Sequence, residues 1–172
     1  MSGAFEEHHR GSTWWRCARW LTAVGFFIFA ANGVAHSFTE TQAESGARIY
    51  QHQCGRCHKP NGEGKDDSYR GLRAPELIGG TALPCKPRAL QKIRMSDFRT
   101  VKDVYEFVSA TMPADQPASL SAEEYWNVLA FILQRNGTTA DNKRLTDTTS
   151  REITLRSECA PGSAAVAHEA QL

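Results

Sequence analysis

A chain of 172 residues, 41% hydrophobic and 23% charged, has ordinary globular composition and room for one domain with extensions. Its formal net charge is +1, and no basic run is interleaved with aromatics. That excludes the electrostatic footprint of nucleic-acid binding and gives no strong field toward an acidic partner.

Residues Trp20 to Ala35 form an uncharged apolar run preceded by Arg16 and Arg19 and ending in the small residues Gly33, Val34 and Ala35. A basic stretch, an apolar stretch and a small-residue site are the three parts of a secretory signal, here with cleavage near Ala35. The run is shorter than the roughly 20 apolar residues a spanning helix needs. The 19 residues ahead of it are long for a signal, so an uncleaved N-terminal anchor stands as the rival reading of residues 1–35. Removing them takes three of the 20 basic and two of the 19 acidic residues and leaves 17 of each, a formally neutral mature chain. Export implies a periplasmic, oxidising location in which free thiols do not persist. The membrane enters only if the leader stays attached.

Residues 36–53 read as a polar start into a short helix. Thr41 and Glu44 have capping-box spacing, and Ala43, Gly46, Ala47 and Tyr50 recur at helical intervals. A glycine inside a helix costs about 1 kcal/mol against alanine. Gly46 is explained if another helix must come very close. Residues 59–75 have the turn chemistry of a loop (Pro60, Asn61-Gly62, Gly64, Gly71), and residues 75–90 continue it. A helix over Val101–Ala110 comes next, capped by Thr100 with Asp103. Thr111 to Pro117 form a loop. The clearest helix opens at the Ser121/Glu124 capping box, with Leu120 placed to staple onto Tyr125, and ends at Asn136-Gly137. Residues 138–172 are polar and small, with Glu152–Leu155 able to form a short extended piece. No alternating run is long enough to build a sheet. The expected fold is all-α, a small helical domain over 36–137 with long loops and an irregular C-terminal extension over 138–172.

Between the first helix and the first loop stands Cys54-Gly55-Arg56-Cys57-His58, C-x-x-C-H, the signature of covalent haem attachment. Two thiols two residues apart reach the two vinyl groups on one edge of a porphyrin, and the next imidazole then falls beneath the iron. A thioredoxin-like site needs a βαβ setting, which is absent here. A structural zinc site needs four ligands, and no second pair completes the set. A local disulfide is the bland alternative in an exported chain.

The sixth iron position needs a further ligand. Thioether is a known partner of a proximal histidine and raises the reduction potential. Met112, followed by Pro113 in a loop between two helices, is the first candidate. Met95 or an open site are the alternatives. His52, His36 and His168 read as surface histidines.

These features resemble the class I c-type cytochromes. The resemblance rests on Gly46-x-x-x-Tyr50-x-x-x-Cys54 leading into C-x-x-C-H, on Ala74-Pro75-Glu76-Leu77, on Met112-Pro113 and on the final helix through Ala130-Phe131-Ile132. It implies one covalently attached haem c wrapped by helices, with His58 and Met112 as iron ligands. It also implies that the Pro75 carbonyl accepts a bond from His58 Nδ1, and that Gly46 admits the last helix with Phe131 packed against it. Arg73 either contacts a haem propionate or is a solvated surface arginine. Two stretches depart from the family. Residues 80–99 are longer and more basic (Lys86, Arg88, Lys92, Arg94, Arg99), a docking surface or a solvated loop. The tail holds Cys159, which with Cys85 is left over once haem takes Cys54 and Cys57 and the leader takes Cys17, so a Cys85–Cys159 disulfide is expected. The implied function is single-electron transfer between a redox protein donor and acceptor such as a dehydrogenase, an oxidase or another cytochrome. The alternative is the electron-accepting subunit of a quinoprotein dehydrogenase complex. A haem enzyme or gas sensor would need an open sixth site.

Overall fold

The computed structural model describes residues 38–88, 93–156 and 159. By its contacts the chain divides between Gly33 and Val34. The first unit, with the apolar leader, lies outside the described residues, as do His36, Lys92 and the tail after Cys159. All the described elements belong to the second unit.

Helix α1 spans Glu40–Ile49 and runs on through a wider π-helical turn, Tyr50–Cys54, into the short α2, Gly55–His58. Its cap is Thr39, whose hydroxyl accepts from the Gln42 N–H at 3.3 Å while Gln42 Oε1 accepts from the Thr39 N–H. The expected Thr41/Glu44 box is therefore not formed, and both residues lie inside the helix. Both threonines satisfy the capping pattern. Thr39 is selected because it places Phe38 at the position before the cap, where the ring is fully buried.

The expected loop at 59–75 contains a two-stranded antiparallel hairpin, β1 (Lys65–Tyr69) and β2 (Leu72–Ala74). Arg70 and Gly71 between the strands have φ of 49° and 72°. Two successive left-handed residues give a turn whose twist matches that of paired strands. The strands carry no apolar alternation because much of the hairpin faces water.

Helix α3 spans Val101–Thr111 and α4 spans Ala122–Arg135. The Thr100 N–H donates to Asp103 Oδ2 at 2.7 Å, and the Ser121 N–H to Glu124 Oε2 at 2.8 Å, so both expected boxes are present. At the second, Leu120 meets Tyr125 through a polar contact: its N–H donates to the tyrosine hydroxyl at 3.4 Å. Gly137, at φ 92°, comes after the Asn136 cap and turns the chain out of α4.

Helices α1 and α4 cross at Gly46. A Cβ there would sit 1.8 Å from the Asn127 carbonyl oxygen, so only glycine permits this approach. Beside the crossing the Tyr50 and Phe131 rings pack with centroids 5.1 Å apart. On the other flank Tyr105 of α3 stacks on Trp126 of α4 at 3.6 Å. The main core gathers Phe38, Val101, Val104 and Leu129 with two residues beyond α4, Leu145 and Ile153. The C-terminal segment is thus a structural layer. Thr154 bridges Thr100 as an antiparallel pair, the extended piece expected near 152–155. A disulfide joins Cys85 to Cys159 across 74 residues. Among the described residues no helix is long and apolar enough to cross a membrane.

Candidate functional site

The chain reaches its chemistry at the end of α1. Tyr50, fully buried, donates its hydroxyl to the Lys59 carbonyl at 3.0 Å and so ties the helix to the turn after His58. Burial pushes its phenol well above the usual range, which keeps it neutral. Cys54 and Cys57 are not joined in a disulfide, unlike Cys85 and Cys159, and both line one cleft with His58. Burial, with Cys57 adding and Arg56 opposing, pushes the Cys54 thiol up to about 12. A redox-active cysteine of the thioredoxin kind has a depressed pKa. Cys54 is shifted the other way, which argues against that chemistry.

His58 is 8% exposed, and its Nδ1 lies 2.8 Å from the Pro75 carbonyl oxygen. A carbonyl can only accept, so Nδ1 carries the proton and Nε2 keeps its lone pair for a metal. Burial also pulls the His58 pKa below its ordinary value, with the Pro75 bond opposing, so the ring is held neutral. Pro75 comes directly after β2, so the hairpin sets the position of its carbonyl.

Met112 caps the C-terminus of α3, its N–H on the Val108 carbonyl at 2.9 Å. Its own carbonyl accepts from the Tyr125 hydroxyl of α4 at 2.6 Å. Arg56, one of the two variable residues of the cysteine motif, pairs with Asp115 in the same loop at 3.0 Å. Two helices and one ion pair thus fix the backbone around Met112, which lines the same cleft as His58. Met95 is 89% exposed and lies apart from this arrangement. His52 is exposed, as expected.

The cleft wall is mostly apolar, with Leu77, Val104, Phe107, Val108, Leu129 and Ile132 among its residues. Arg73 lies at this wall with its side chain mostly exposed and its Nε 2.5 Å from Asp66 Oδ1. Arg94 is the lining residue that sequence reasoning does not single out. It is one of five basic residues in a loop expected to be solvated or to serve docking, yet it is 3% exposed. Its guanidinium lies 3.6 Å from the centroid of the Phe98 ring. Nothing local in the sequence marks which of the five turns inward.

The protein-family model described as cytochrome c oxidase, cbb3-type, subunit III matches residues 41–132, more than half of the chain. The chain belongs to this family of class I c-type cytochrome domains. The cofactor of such a domain is haem c and its work is electron transfer. The match runs from α1 nearly to the end of α4, so the buried residues Leu145 and Ile153 lie outside it. No curated protein matches the cytochrome. Among solved structures, the crystal structure of the sulfane dehydrogenase SoxCD from Paracoccus pantotrophus is similar at 26% identity and a TM-score of 0.49. The alignment covers 72% of this chain and 55% of that one, so the cytochrome spans about half that chain's length.

The residues present fit the group. Two thiols stand two residues apart beside an imidazole with an available Nε2. The wall is apolar, and a thioether lines the same space. A buried guanidinium nitrogen, Arg94 Nη1, has no hydrogen-bond partner in the cleft.

Proposed function

We propose that the protein is an exported monohaem cytochrome that carries single electrons between redox proteins. In this reading Cys54 and Cys57 hold the porphyrin through thioether bonds, and His58 Nε2 and Met112 Sδ ligate the iron. The observation that carries it is the 2.8 Å contact of His58 Nδ1 with the Pro75 carbonyl, in the cleft that Met112 and both cysteines line. That contact fixes the imidazole tautomer and ring orientation and makes it a more basic ligand. When bound, the haem supplies the one-electron iron couple. The chain sets its potential through the ligands, the apolar wall and the hydrogen bonds around them. Tyr125 and the Arg56–Asp115 pair hold the Met112 loop, and Arg73, at the cleft wall, would contact a haem propionate in this reading.

Residues 1–35 are the export signal or anchor in this reading, 36–137 the haem domain and 138–172 its extension. The Cys85–Cys159 disulfide supports an oxidising compartment such as the periplasm. The test is production of the full chain in cells competent for cytochrome maturation, followed by acid-acetone extraction and intact mass. The pigment should stay with the polypeptide, and the mass should show the haem adduct. Colour that washes out, or a Cys57→Ala variant that loads and absorbs normally, would overturn the reading.

A further inference from the structure

Arg94 is the one Lys, Arg, Asp or Glu side chain buried among the described residues. Three contacts anchor it. Nε donates to the Ser96 carbonyl at 2.9 Å, Nη2 donates to the Cys85 carbonyl, and the guanidinium plane covers the Phe98 ring. Each of these partners is neutral, so none of them offsets the positive charge. Its remaining nitrogen, Nη1, is buried with no hydrogen-bond partner. Asp97 and the acids on or paired to the cleft wall are engaged elsewhere. Asp97 pairs with Lys86 at 2.7 Å, Asp66 pairs with Arg73, and Glu76 of the cleft wall accepts from the Thr81 hydroxyl. Of the other charges acting on Arg94, Asp97 supports its protonated form and Arg88 opposes it.

A buried guanidinium does not shed its proton at neutral pH, so it needs an anion. Arg94 and Phe98 line the same cleft as Cys54, Cys57, His58 and Met112. A planar carboxylate entering that cleft is the partner a guanidinium fork matches. A haem carries two such carboxylates. We propose that Arg94 Nη1 is the buried donor to one haem propionate, held in place by the loop that the Cys85–Cys159 disulfide closes. The proposal rests on the haem reading above. It differs from the role expected for Arg73, whose side chain is mostly exposed and already paired. It also gives a use to the basic stretch 80–99, which departs from the family pattern.

The test compares full-length wild type, Arg94→Gln and Arg94→Lys, each first checked for covalent haem by intact mass. The reduction potential is then measured from mildly acidic to neutral pH. Beside a guanidinium a carboxyl has its pKa depressed by about 1–3 units, so the wild-type potential should be nearly flat. In Arg94→Gln the carboxyl should take up its proton at a pH higher by about 1–3 units, a tenfold or greater gain in proton affinity. Its potential should therefore fall as pH rises through that range, because an unpaired negative charge favours ferric iron. Arg94→Lys, which keeps the charge without the fork, should lie between. A purely structural Arg94 would not create this slope.

Superimposed curves for haem-loaded wild type and Arg94→Gln would overturn the proposal and leave the haem reading standing. A slope that tracks added phosphate rather than pH would assign Nη1 to a solvent anion, and would also overturn it. If Arg94→Gln does not load, the Arg94→Lys curve decides: a pH slope steeper than wild type supports the proposal, and a curve parallel to or coincident with wild type refutes it. Wild type without covalent haem would sink the underlying reading itself.

Discussion

At the scale of single residues, the sharpest division is between side chains whose role comes from covalent spacing and those whose role comes from the fold. Cys54, Cys57 and His58 are proposed from the sequence because two thiols and an imidazole at that spacing form a local unit, and the fold brings all three to one cleft. Met112 is proposed as a ligand because it precedes a proline in a loop between two helices, and it lines the cleft with His58, whereas Met95 is 89% exposed. Met112→Ala should lower the reduction potential by on the order of 0.2 V, within the span of about 0.8 V that axial ligands control. It should also admit carbon monoxide or cyanide to the iron; an unchanged potential and spectrum would remove Met112 from the ligand set. Arg94 is not legible. Its burial depends on Phe98 below it and on the Cys85 carbonyl nine residues back, and neither contact leaves a mark in a run of similar basic residues.

At the scale of elements, capping chemistry locates α3 and α4 from sequence because each box is a contact within four residues. It misplaces the start of α1 because two overlapping boxes fit, and the burial of Phe38 chooses between them. The hairpin escapes because its turn is Arg70-Gly71 and its strands lack an apolar face. The α4 cap makes a pH prediction. The Ser121 N–H and hydroxyl hold the Glu124 carboxyl below its usual range. A depressed folded pKa means stability present above the unfolded pKa and lost as pH falls through the folded one. Acid should therefore weaken the cytochrome through this cap, and Glu124→Gln should flatten that part of the stability–pH curve. Gly46→Ala tests the crossing. Its methyl would meet the Asn127 carbonyl, so α1 and α4 must separate, at a cost of at least about 1–3 kcal/mol. Urea unfolding should show the lower midpoint; an unchanged midpoint would mean the helices do not cross so closely.

At the scale of the whole molecule, the segment after α4 works as a clamp on the helices. The N–H of Val101, the first residue of α3, donates to the Ile153 carbonyl at 3.0 Å, and Leu145 is buried in the main core. Composition hides this layer, because a polar segment with few apolar residues still fills a core when those few are placed opposite helix faces. The disulfide closes the clamp. Cys159→Ser with Cys85→Ser should cost about 2–4 kcal/mol, mainly by releasing a long loop in the unfolded chain. Thermal or urea unfolding of the oxidised and doubly substituted proteins checks this, and equal stabilities would assign the bond no structural part.

Gln42 bears on any attempt to trim the protein. Its buried side-chain amide reads the backbone of Leu145 in both directions, accepting from the N–H at 2.8 Å and donating to the carbonyl at 3.0 Å. A version cut back to the family match would strand that amide in a dry interior and open a seam along α1. The smallest unit worth crystallising or engineering therefore extends well past the last helix, and its boundary is drawn by one glutamine near the other end.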